Sequence, residues 1–439
     1  MREDASGHQR SAQARMNEAA GLAVAIHLNV VGVEAVAVDR PHPGTFLGAG
    51  TVDRLKAAVA EAKADLLIFD HALSPVQQRN LERALMCKVV DRTGLILEIF
   101  GARARTREGQ LQVELAALLY QKSRLVRSWT HLERQRGGFG FLGGPGESQL
   151  EIDRRLIGQR ILTIQRELHE ARQRRALQRQ TRRRRAWPLV ALAGYTNAGK
   201  STLFNRLTGA QVRAENLLFA TLDPTLRAFD LPGGHRALLS DTVGFISDLP
   251  TQLVEAFHAT LEEVQDADII LHVRDIAHPD SGLQRHDVQQ VLAALGIAAD
   301  SDRVIEVLNK ADNLPLDDHR RLNLECDRHN AVASAAADGQ TEPGAGMVAV
   351  SALSGEGMDR LYALMTNKLF ASRHERILTL TADGGATLAW LHRHGQVQSQ
   401  RVTKTGRLHV RAALDSSDWG RFEKSFPDIP TRAAPAKGH

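Results

Sequence analysis

The sequence predicts an α/β fold whose largest part is a doubly wound, mostly parallel sheet in the middle of the chain. Short apolar runs alternate with helix-like stretches between about residues 21 and 100, and again between residues 189 and 370. Leucine and isoleucine at heptad-like spacing between those two regions predict a long helical hairpin. Strand-like runs after residue 373 predict a final, small α+β domain.

Length and composition limit the class of protein. The chain has 439 residues, of which 43% are apolar and 24% charged, so we expect a globular protein of roughly two to four domains. The first 20 residues lack the apolar run of a secretory signal, and no run of about 18 apolar residues predicts a membrane span. Cys87 and Cys326 lie far apart and predict neither a disulfide framework nor a zinc site. We therefore expect a cytoplasmic protein.

Residues 21–103 predict a small α/β domain that follows a disordered leader at residues 1–20. The expected strands are residues 23–28, 33–38, 66–69 and 88–90, and the expected first helix is residues 52–62. Ser74, Pro75 and Gln77 supply an N-cap serine, a proline at the first helical position and a glutamine that closes a capping box. A second helix is therefore predicted to begin there.

Residues 104–186 predict an antiparallel helical hairpin with a glycine-rich tip. Apolar side chains recur at heptad-like spacing in its two halves: Leu111, Leu115, Leu118, Leu125 and Trp129, then Ile157, Ile161, Ile164 and Leu168. Residues 137–147 between them cannot be helical, because each interior glycine costs about 1 kcal/mol and proline about 3 kcal/mol.

The hairpin is also strongly basic. Residues 101–185 contain 20 Lys and Arg against 8 Asp and Glu, a net charge of +12, whereas the whole chain carries +5. Basic charge and a flexible tip favour contact with RNA. The candidate contacts are Gly137, Gly138, Gly140, Gly143, Gly144, Arg182, Arg183, Arg184 and Arg185. The charge alone leaves a solvated structural spacer open as the alternative.

Residues 187–372 predict the doubly wound domain, with ligands at the carboxyl ends of its strands. Its apolar runs are residues 189–193, 237–240, 269–273, 304–308 and 348–350. Residues 330–347, rich in alanine and glycine, are expected to form a mobile loop. Residues 373–430 are expected to form the small α+β domain, with strands at residues 377–380, 397–401 and 408–411, and residues 431–439 a polar tail.

A glycine-rich turn follows the first apolar run of the central domain. It consists of Gly194, Tyr195, Thr196, Asn197, Ala198, Gly199, Lys200, Ser201 and Thr202. A strand before it and an apolar helix face after it are the context of a phosphate-binding loop, whose backbone N–H groups point at the phosphates. Lys200 would place its charge at the β and γ oxygens, and Ser201 would bind Mg²⁺. A glycine-rich turn that contains Lys-Ser by chance is the alternative.

Two further segments are expected at the phosphates. One comprises Asp241, Thr242, Val243 and Gly244. There Asp241 would hold Mg²⁺ through water, and the Gly244 N–H would contact the γ-phosphate. The other comprises Phe219, Ala220, Thr221, Leu222 and Asp223, in which Thr221 would close on the metal only when triphosphate is bound. We therefore predict Lys200, Thr221 and Gly244 as catalytic residues.

Two more segments predict recognition of guanine. They are Asn309, Lys310, Ala311 and Asp312, and then Ser351, Ala352 and Leu353. The Asp312 carboxylate would accept hydrogen bonds from N1–H and the 2-amino group of guanine, while the Lys310 stem covers the ring. Adenine lacks both donors and would leave that carboxylate unpaired. A backbone N–H near Ser351 would meet the guanine O6. Five segments in this order predict a GTPase.

Phe245 occupies a position where many related switches carry a glutamine that orients the attacking water. Its side chain has no hydrogen-bonding group, and the sequence assigns the water to no other residue. We therefore expect slow intrinsic hydrolysis that a partner accelerates.

These motifs closely resemble the HflX family of ribosome-associated GTPases. The similarity lies in residues 194–205, 218–225 and 241–246, and in residues 112–115 together with the tip residues 143–147, and it extends over about residues 45–370. It implies a Mg²⁺-dependent P-loop GTPase that binds GTP and GDP and associates with the large ribosomal subunit and the 70S ribosome. It also implies splitting or rescue of stalled ribosomes, a role in ribosome biogenesis, and contact of the basic helices with ribosomal RNA. We expect a monomer.

Two alternatives from other functional classes stay open. One is an ATP-dependent RNA-remodelling activity in the N-terminal region, where Gly48, Ala49 and Gly50 precede a predicted helix but the lysine of a phosphate-binding loop is missing. The other is a non-ribosomal adaptor in which GTP gates a protein–protein contact. Sedimentation with ribosomes at two salt concentrations separates the adaptor from a ribosome-binding protein.

Overall fold

The computed structural model describes residues 11–135, 149–183, 187–210, 218–219, 225–242, 244–247, 263–337, 345–370, 373–381, 384–403 and 406–433. Four parts follow one another along the chain: an α/β part, a helical hairpin, a large α/β domain and a small α+β domain. This is the predicted fold class. Among the helices in these ranges, none has the length and apolar character needed to cross a bilayer.

The N-terminal part combines two short parallel strands with four helices. Its elements are α1 Ala12–Ala25, α2 Ala49–Ala62, β1 Leu66–Phe69, α3 Pro75–Leu85, β2 Lys88–Asp91 and α4 Arg92–Arg103. The predicted capping box is confirmed, because Gln77 N donates to Ser74 Oγ at 3.2 Å and Ser74 N donates to Gln77 Oε1 at 2.9 Å. The predicted strands at residues 66–69 and 88–90 are also confirmed.

Other predictions for this part were wrong. Residues 23–28 contain the end of α1 rather than a strand, and α1 begins at Ala12, inside the predicted disordered leader. Ser11 caps this helix by accepting from Ala14 N at 3.1 Å, and Leu22 is buried in the same core as α4. Tertiary burial thus orders a segment whose first half is polar. Residues 33–38 form no strand, although Val36 and Val38 pack against the core between α2 and α3.

The helical hairpin is confirmed by α5 Arg107–Gln135 and α6 Gln149–Arg183. Arg160 donates twice to the Glu114 carboxylate, both at 2.7 Å, and Arg107 pairs with Glu167 at 3.0 Å, so the two helices run antiparallel. The predicted apolar seam is buried at Leu111, Leu115, Ile161, Ile164 and Leu168.

The large domain has a six-stranded sheet in the order β4-β5-β3-β6-β7-β8. Its elements are β3 Leu189–Gly194, α7 Lys200–Thr208, β4 Thr225–Leu231, β5 His235–Asp241, β6 Ile269–Asp275, α8 Ser281–Ala294, β7 Val304–Asn309, α9 Leu316–Ala337, β8 Gly346–Ala349 and α10 Met358–Phe370. All five predicted strands are present and parallel. The edge strand β4, antiparallel to β5, was not predicted because its partly exposed residues form no apolar run.

The predicted loop at residues 330–347 was partly wrong, because α9 continues to Ala337 and β8 begins at Gly346. Alanine has the highest helix propensity, which explains why this alanine-rich stretch extends the helix. Residues 338–344 lie outside the described residues.

Two apolar cores cover the sheet of the large domain. One core contains side chains of α7 and α10, and the other contains side chains of α8 together with α1 and α4 of the N-terminal part. The second core also includes Tyr195, Phe219, Phe245 and Ile246. The N-terminal part and the large domain therefore share one core beside the predicted nucleotide loops.

The C-terminal domain is a four-stranded antiparallel sheet in the order β10-β11-β9-β12, covered by two helices. Its elements are β9 Arg373–Leu380, α11 Gly385–His394, β10 Gln396–Val402, β11 Leu408–Asp415, α12 Ser416–Ser425 and β12 Thr431–Ala433. The three predicted strands are confirmed. The predicted tail was wrong at its start, because Thr431 pairs with Leu378 of β9.

The apolar seam of the hairpin can be tested with two neighbouring residues of α6. Ile164 has no exposed surface, whereas Leu162 is 61% exposed. We expect Ile164→Ala to lower the free energy of unfolding by about 2–4 kcal/mol, because it leaves a cavity between the helices. Urea denaturation followed by circular dichroism measures this change. The matched control Leu162→Ala should shift stability by less than about 0.5 kcal/mol, and equal losses in both variants would contradict the seam.

Candidate functional site

The glycine-rich turn joins the carboxyl end of β3 to the first turn of α7. Gly199 caps α7 with a φ of 93°, in the left-handed region that favours glycine. A Cβ on Gly199 would lie 2.2 Å from Asn309 Nδ2, and a Cβ on Gly194 would lie 2.2 Å from the Val273 carbonyl oxygen. Both positions therefore require glycine. The turn brings the N-terminus of α7, a favourable place for phosphate, to the carboxyl edge of the sheet.

Lys200 is buried at the centre of this turn. Its Nζ donates to the carbonyl oxygens of Gly194 at 3.0 Å and Tyr195 at 2.7 Å. Burial lowers the pKa of Lys200 to about 8, and the nearby charge of Asp241 partly opposes this effect. The backbone thus holds the ammonium group beside the helix N-terminus, where it can neutralise phosphate charge.

Ser201 and Asp241 come together although 40 residues separate them. Ser201 Oγ donates to Asp241 Oδ2 at 3.1 Å. Mg²⁺ prefers oxygen ligands and is commonly held by one or two protein groups together with substrate phosphates. In the described part of the chain, no group of three or more His, Cys, Asp or Glu side chains is arranged to hold a metal ion. The Ser201 hydroxyl and the Asp241 carboxylate supply oxygen atoms of the kind that Mg²⁺ prefers.

The segment after Asp241 lies directly against the glycine-rich turn. Phe245 N donates to Gly194 O at 3.1 Å, and Thr196 N donates to Phe245 O at 2.7 Å. A Cβ on Gly244 would lie 2.9 Å from Thr196 Cγ2 and 3.1 Å from Lys200 Nζ. The Phe245 side chain points into the core shared with the N-terminal part. Gly244 therefore lies beside the lysine, and the side chain that follows it is directed away.

Asn309 connects the two loops predicted to hold the base and the phosphates. Its Nδ2 donates to Ala198 O at 2.8 Å, and its Oδ1 accepts from Ala352 N at 3.0 Å. Asn309 is buried, so both bonds are shielded from water. This single side chain links the glycine-rich turn to the loop after β8.

The residues predicted to contact guanine border the same site. Lys310 has a φ of 62° and donates to Asp275 Oδ2 at 2.7 Å, which fixes its side chain at the end of β6. Asp312 is exposed. Ser351 is buried, and its Oγ accepts from Ser354 N at 3.0 Å. Ala311 N donates to Val350 O at 3.2 Å, which joins the two base-side segments.

Some predicted residues lie outside the described residues. These are Ala220, Thr221, Leu222, Asp223 and Val243 of the nucleotide set, and Gly137, Gly138, Gly140, Gly143, Gly144, Arg184 and Arg185 of the RNA set. Arg182 and Arg183 are the last two residues of α6. For all of these residues the assignments stay predictions. The oligomeric state also stays a prediction.

Sequence reasoning missed several residues that shape the site. Arg206 of α7 donates to Ala352 O at 2.8 Å and so helps to hold the loop that follows β8. Glu18 and Arg92, from the N-terminal part, contact Tyr195 and Ser247 beside the phosphate loop. No motif marks these residues, because their role depends on how distant parts of the chain pack together.

The fold and the site define a class of protein. A parallel sheet, a glycine-rich turn with Lys200 at a helix N-terminus and a Ser201–Asp241 pair are the features of a P-loop nucleotide-binding domain. Family models match four successive regions of the chain: "GTP-binding GTPase N-terminal" at residues 13–101, "GTP-binding GTPase Middle Region" at residues 103–182, "50S ribosome-binding GTPase" at residues 189–310 and "HflX C-terminal domain" at residues 337–434.

Similar proteins identify the particular family. The chain is 48% identical over 389 residues to a GTPase HflX from Magnetococcus marinus, covering 89% of this chain and 85% of that protein. It is 43% identical over 403 residues to the GTPase HflX of Escherichia coli, covering 91% and 90% respectively. The chain belongs to the HflX family of GTPases, and it is a GTPase.

A solved structure is also similar. A crystal structure of a GTP-binding protein from the hyperthermophilic archaeon Sulfolobus solfataricus in complex with GDP matches with 23% identity and a TM-score of 0.43. The match covers 80% of this chain and 94% of that one.

The link made by Asn309 can be tested directly. Asn309→Ala leaves a buried backbone carbonyl and a buried N–H without their partner, which should lower the free energy of unfolding by about 1–3 kcal/mol. Because both nucleotide loops lose their connection, we also expect GTP affinity to fall by about tenfold or more. Thermal unfolding without nucleotide and calorimetric titration with GTP measure the two effects. The exposed residue Asn313 supplies the control, Asn313→Ala, and equal behaviour of the two variants would contradict this role.

Proposed function

We propose that this GTPase binds the large ribosomal subunit and the 70S ribosome, and that its GTP-dependent switch splits or rescues stalled ribosomes. A further role in ribosome biogenesis belongs to the same proposal, as does a cytoplasmic location. The observation that carries it is a basic helical hairpin attached to a GTPase domain. Arg154, Arg155, Arg166 and Arg174 of α6 are exposed on that hairpin. The match of the domain to a model described as "50S ribosome-binding GTPase" supports the choice of partner.

The nucleotide would lie across the carboxyl edge of the sheet. Lys200 would neutralise the β and γ oxygens, and the N-terminus of α7 would donate backbone N–H groups to the phosphates. Ser201 would ligate Mg²⁺ directly and Asp241 through water, and the ion supplies charge neutralisation at the phosphates. Thr221 would complete this shell when the γ-phosphate is present.

The base would lie between the Lys310 and Ser351 segments. Asp312 would accept two hydrogen bonds from guanine, and the Lys310 stem would cover the ring. The Lys310–Asp275 ion pair supports this proposal, because it holds the lysine at the end of β6. Asn309 would keep the base and phosphate loops at a fixed separation.

Hydrolysis would be slow without a partner. Phe245 stands where related switches carry a water-orienting glutamine, and its side chain is buried in the core shared with the N-terminal part. No side chain in this segment is therefore assigned to the attacking water. Contact with the ribosome would supply or arrange the missing group.

The base assignment predicts a change of specificity. In Asp312→Asn the new amide presents a donor towards the 2-amino group of guanine, which is also a donor. We therefore expect GTP affinity to fall by about tenfold or more. Xanthosine triphosphate has an oxygen at that position and should bind this variant better than GTP does. Competition binding with both nucleotides measures the preference. Asp317→Asn, an exposed carboxylate in α9, is the matched control. Unchanged GTP affinity in Asp312→Asn would refute the assignment.

The ribosomal assignment predicts particle-specific stimulation. Turnover should rise by about tenfold or more with 70S particles and 50S subunits, but not with 30S subunits. Co-sedimentation should weaken steeply with salt, because phosphate contacts release counterions. Replacing Gly143 and Gly144 by alanine should reduce the ratio of stimulated to unstimulated turnover. Stimulation by none of the particles would favour an adaptor function, and nucleotide binding by residues 1–185 alone would favour an N-terminal ATP site.

A further inference from the structure

A buried ionic cluster lies where the N-terminal part meets the phosphate loop. Arg92, the first residue of α4, is only 6% exposed. Its Nη2 donates to Glu18 Oε1 of α1 at 2.5 Å, and its Nη1 donates to Asp70. Burial by itself would lower the pKa of Arg92, but the charges of Asp70 and Glu18 outweigh burial and raise it. Arg92 therefore stays charged, and the loss of one of its partners in this buried place would be costly.

The same cluster holds two segments of the GTPase site. Arg92 Nη2 donates to Ser247 O at 3.0 Å and lies 2.9 Å from Ser247 Oγ. Ser247 Oγ donates to Glu18 Oε1 at 2.7 Å, and the Tyr195 hydroxyl of the phosphate loop donates to Glu18 Oε2. Ser247 N donates to the Tyr195 hydroxyl at 2.8 Å. Glu18 and Arg92 therefore fix the phosphate loop and the segment after Gly244 to each other.

Asp91, the residue before Arg92, contacts the helical hairpin. Asp91 Oδ1 accepts from the Tyr120 hydroxyl of α5 at 2.7 Å, and Asp91 Oδ2 lies 3.3 Å from Arg124 Nη1. Burial and the charge of Asp91 raise the pKa of Tyr120, so its hydroxyl stays a donor. Asp91 also caps α4 by accepting from Gly94 N at 2.8 Å. Asp91 and Arg92 thus place contacts to the hairpin and to the GTPase site at the same helix start.

A short covalent and hydrogen-bonded path connects Gly244 to this helix start. Ser247 lies three residues after Gly244, within at most about 10 Å along the chain, so a shift of Gly244 towards a γ-phosphate would pull on Ser247 through only two intervening residues. Displacement of Ser247 removes a partner from the buried Arg92, which is costly unless α4 moves as well. Because Asp91 is covalently next to Arg92, such a movement would change the contacts of Asp91 with Tyr120 and Arg124.

We infer that Asp91 and Arg92 are positioning residues that couple the nucleotide state of the GTPase site to the orientation of the helical hairpin. Arg92 and Glu18 set the position of the segment that carries Gly244. Asp91 transmits a change in that position to the base of α5. The coupling works in both directions, since any free-energy coupling between two sites is reciprocal.

Hydrogen exchange in the full-length protein tests the coupling without a ribosome. The protein is compared in its GDP-bound state and with a non-hydrolysable GTP analogue. We expect the amides of α5 around residues 113–124 to differ in exchange rate between the two states. Tyr120→Phe should reduce that difference by about fivefold or more, with single-turnover hydrolysis unchanged. A merely structural role of the hydroxyl would change exchange equally in both states. The variant Tyr362→Phe in α10 is the control for loss of a hydroxyl elsewhere.

Arg92→Lys tests the other side of the cluster, because lysine keeps the charge but loses the planar fork. We expect single-turnover hydrolysis to slow by about tenfold with GDP affinity within about twofold of the wild type, since GDP lacks the γ-phosphate that Gly244 would meet. Arg103→Lys at the other end of α4, where the side chain contacts Ala25 O, should change neither quantity.

The outcomes separate this inference from the proposed function. An equal α5 exchange rate in both nucleotide states of the wild type overturns the coupling, and so does a difference that persists in both Tyr120→Phe and Arg92→Lys.

A ribosomal experiment, which rests on the proposed function, compares 50S affinity with GDP and with the GTP analogue. The ratio should fall about fivefold or more in Tyr120→Phe. A wild type that binds no ribosomal particle refutes the proposed function alone, because the exchange result does not depend on it.

Discussion

A buried ammonium group organises the nucleotide site. Lys200 has lost most of its hydration, as its lowered pKa reflects, and carbonyl oxygens of Gly194 and Tyr195 replace the missing water. This arrangement requires a backbone that curls tightly around the side chain, and the two glycines of the turn permit it where any side chain would collide with Val273 or Asn309. The bonds between Phe245 and the same turn then place Gly244 next to the lysine. The folded backbone therefore brings the ammonium group, the N-terminus of α7 and Gly244 together.

The core shared by the N-terminal part and the GTPase domain is the second constraint. Phe100 of α4 packs edge-to-face on Phe219 with ring centroids 4.7 Å apart, and a Cβ on Gly21 would lie 3.1 Å from Leu218 Cδ1. Two apolar residues just before the predicted switch threonine are thus covered by another part of the chain. The segment that leads to this threonine is therefore packed against the N-terminal part of the chain.

Sequence patterns predicted those elements whose cause is local. The Ser74 capping box, the five parallel strands and the hairpin seam were all found, since turn chemistry, apolar runs and heptad spacing are readable in short windows. The helix at Ala12 and strand β12 were missed because each depends on burial or pairing with distant residues, namely α4 and Leu378. For the site, Lys200, Ser201 and Asp241 were placed together by motif order alone. Asn309 was expected to border the base, but its link to Ala198 and Ala352 becomes visible only in three dimensions.

The length of α5 has a mechanical consequence. Tyr120, at the junction with the N-terminal part, is followed by 15 further residues of helix up to Gln135, which is about 22 Å at 1.5 Å per residue. A rotation of about 5° at the junction would move the far end by about 2 Å. Through the proposed coupling, small rearrangements of buried polar groups at the junction would therefore become larger displacements at the far end of α5.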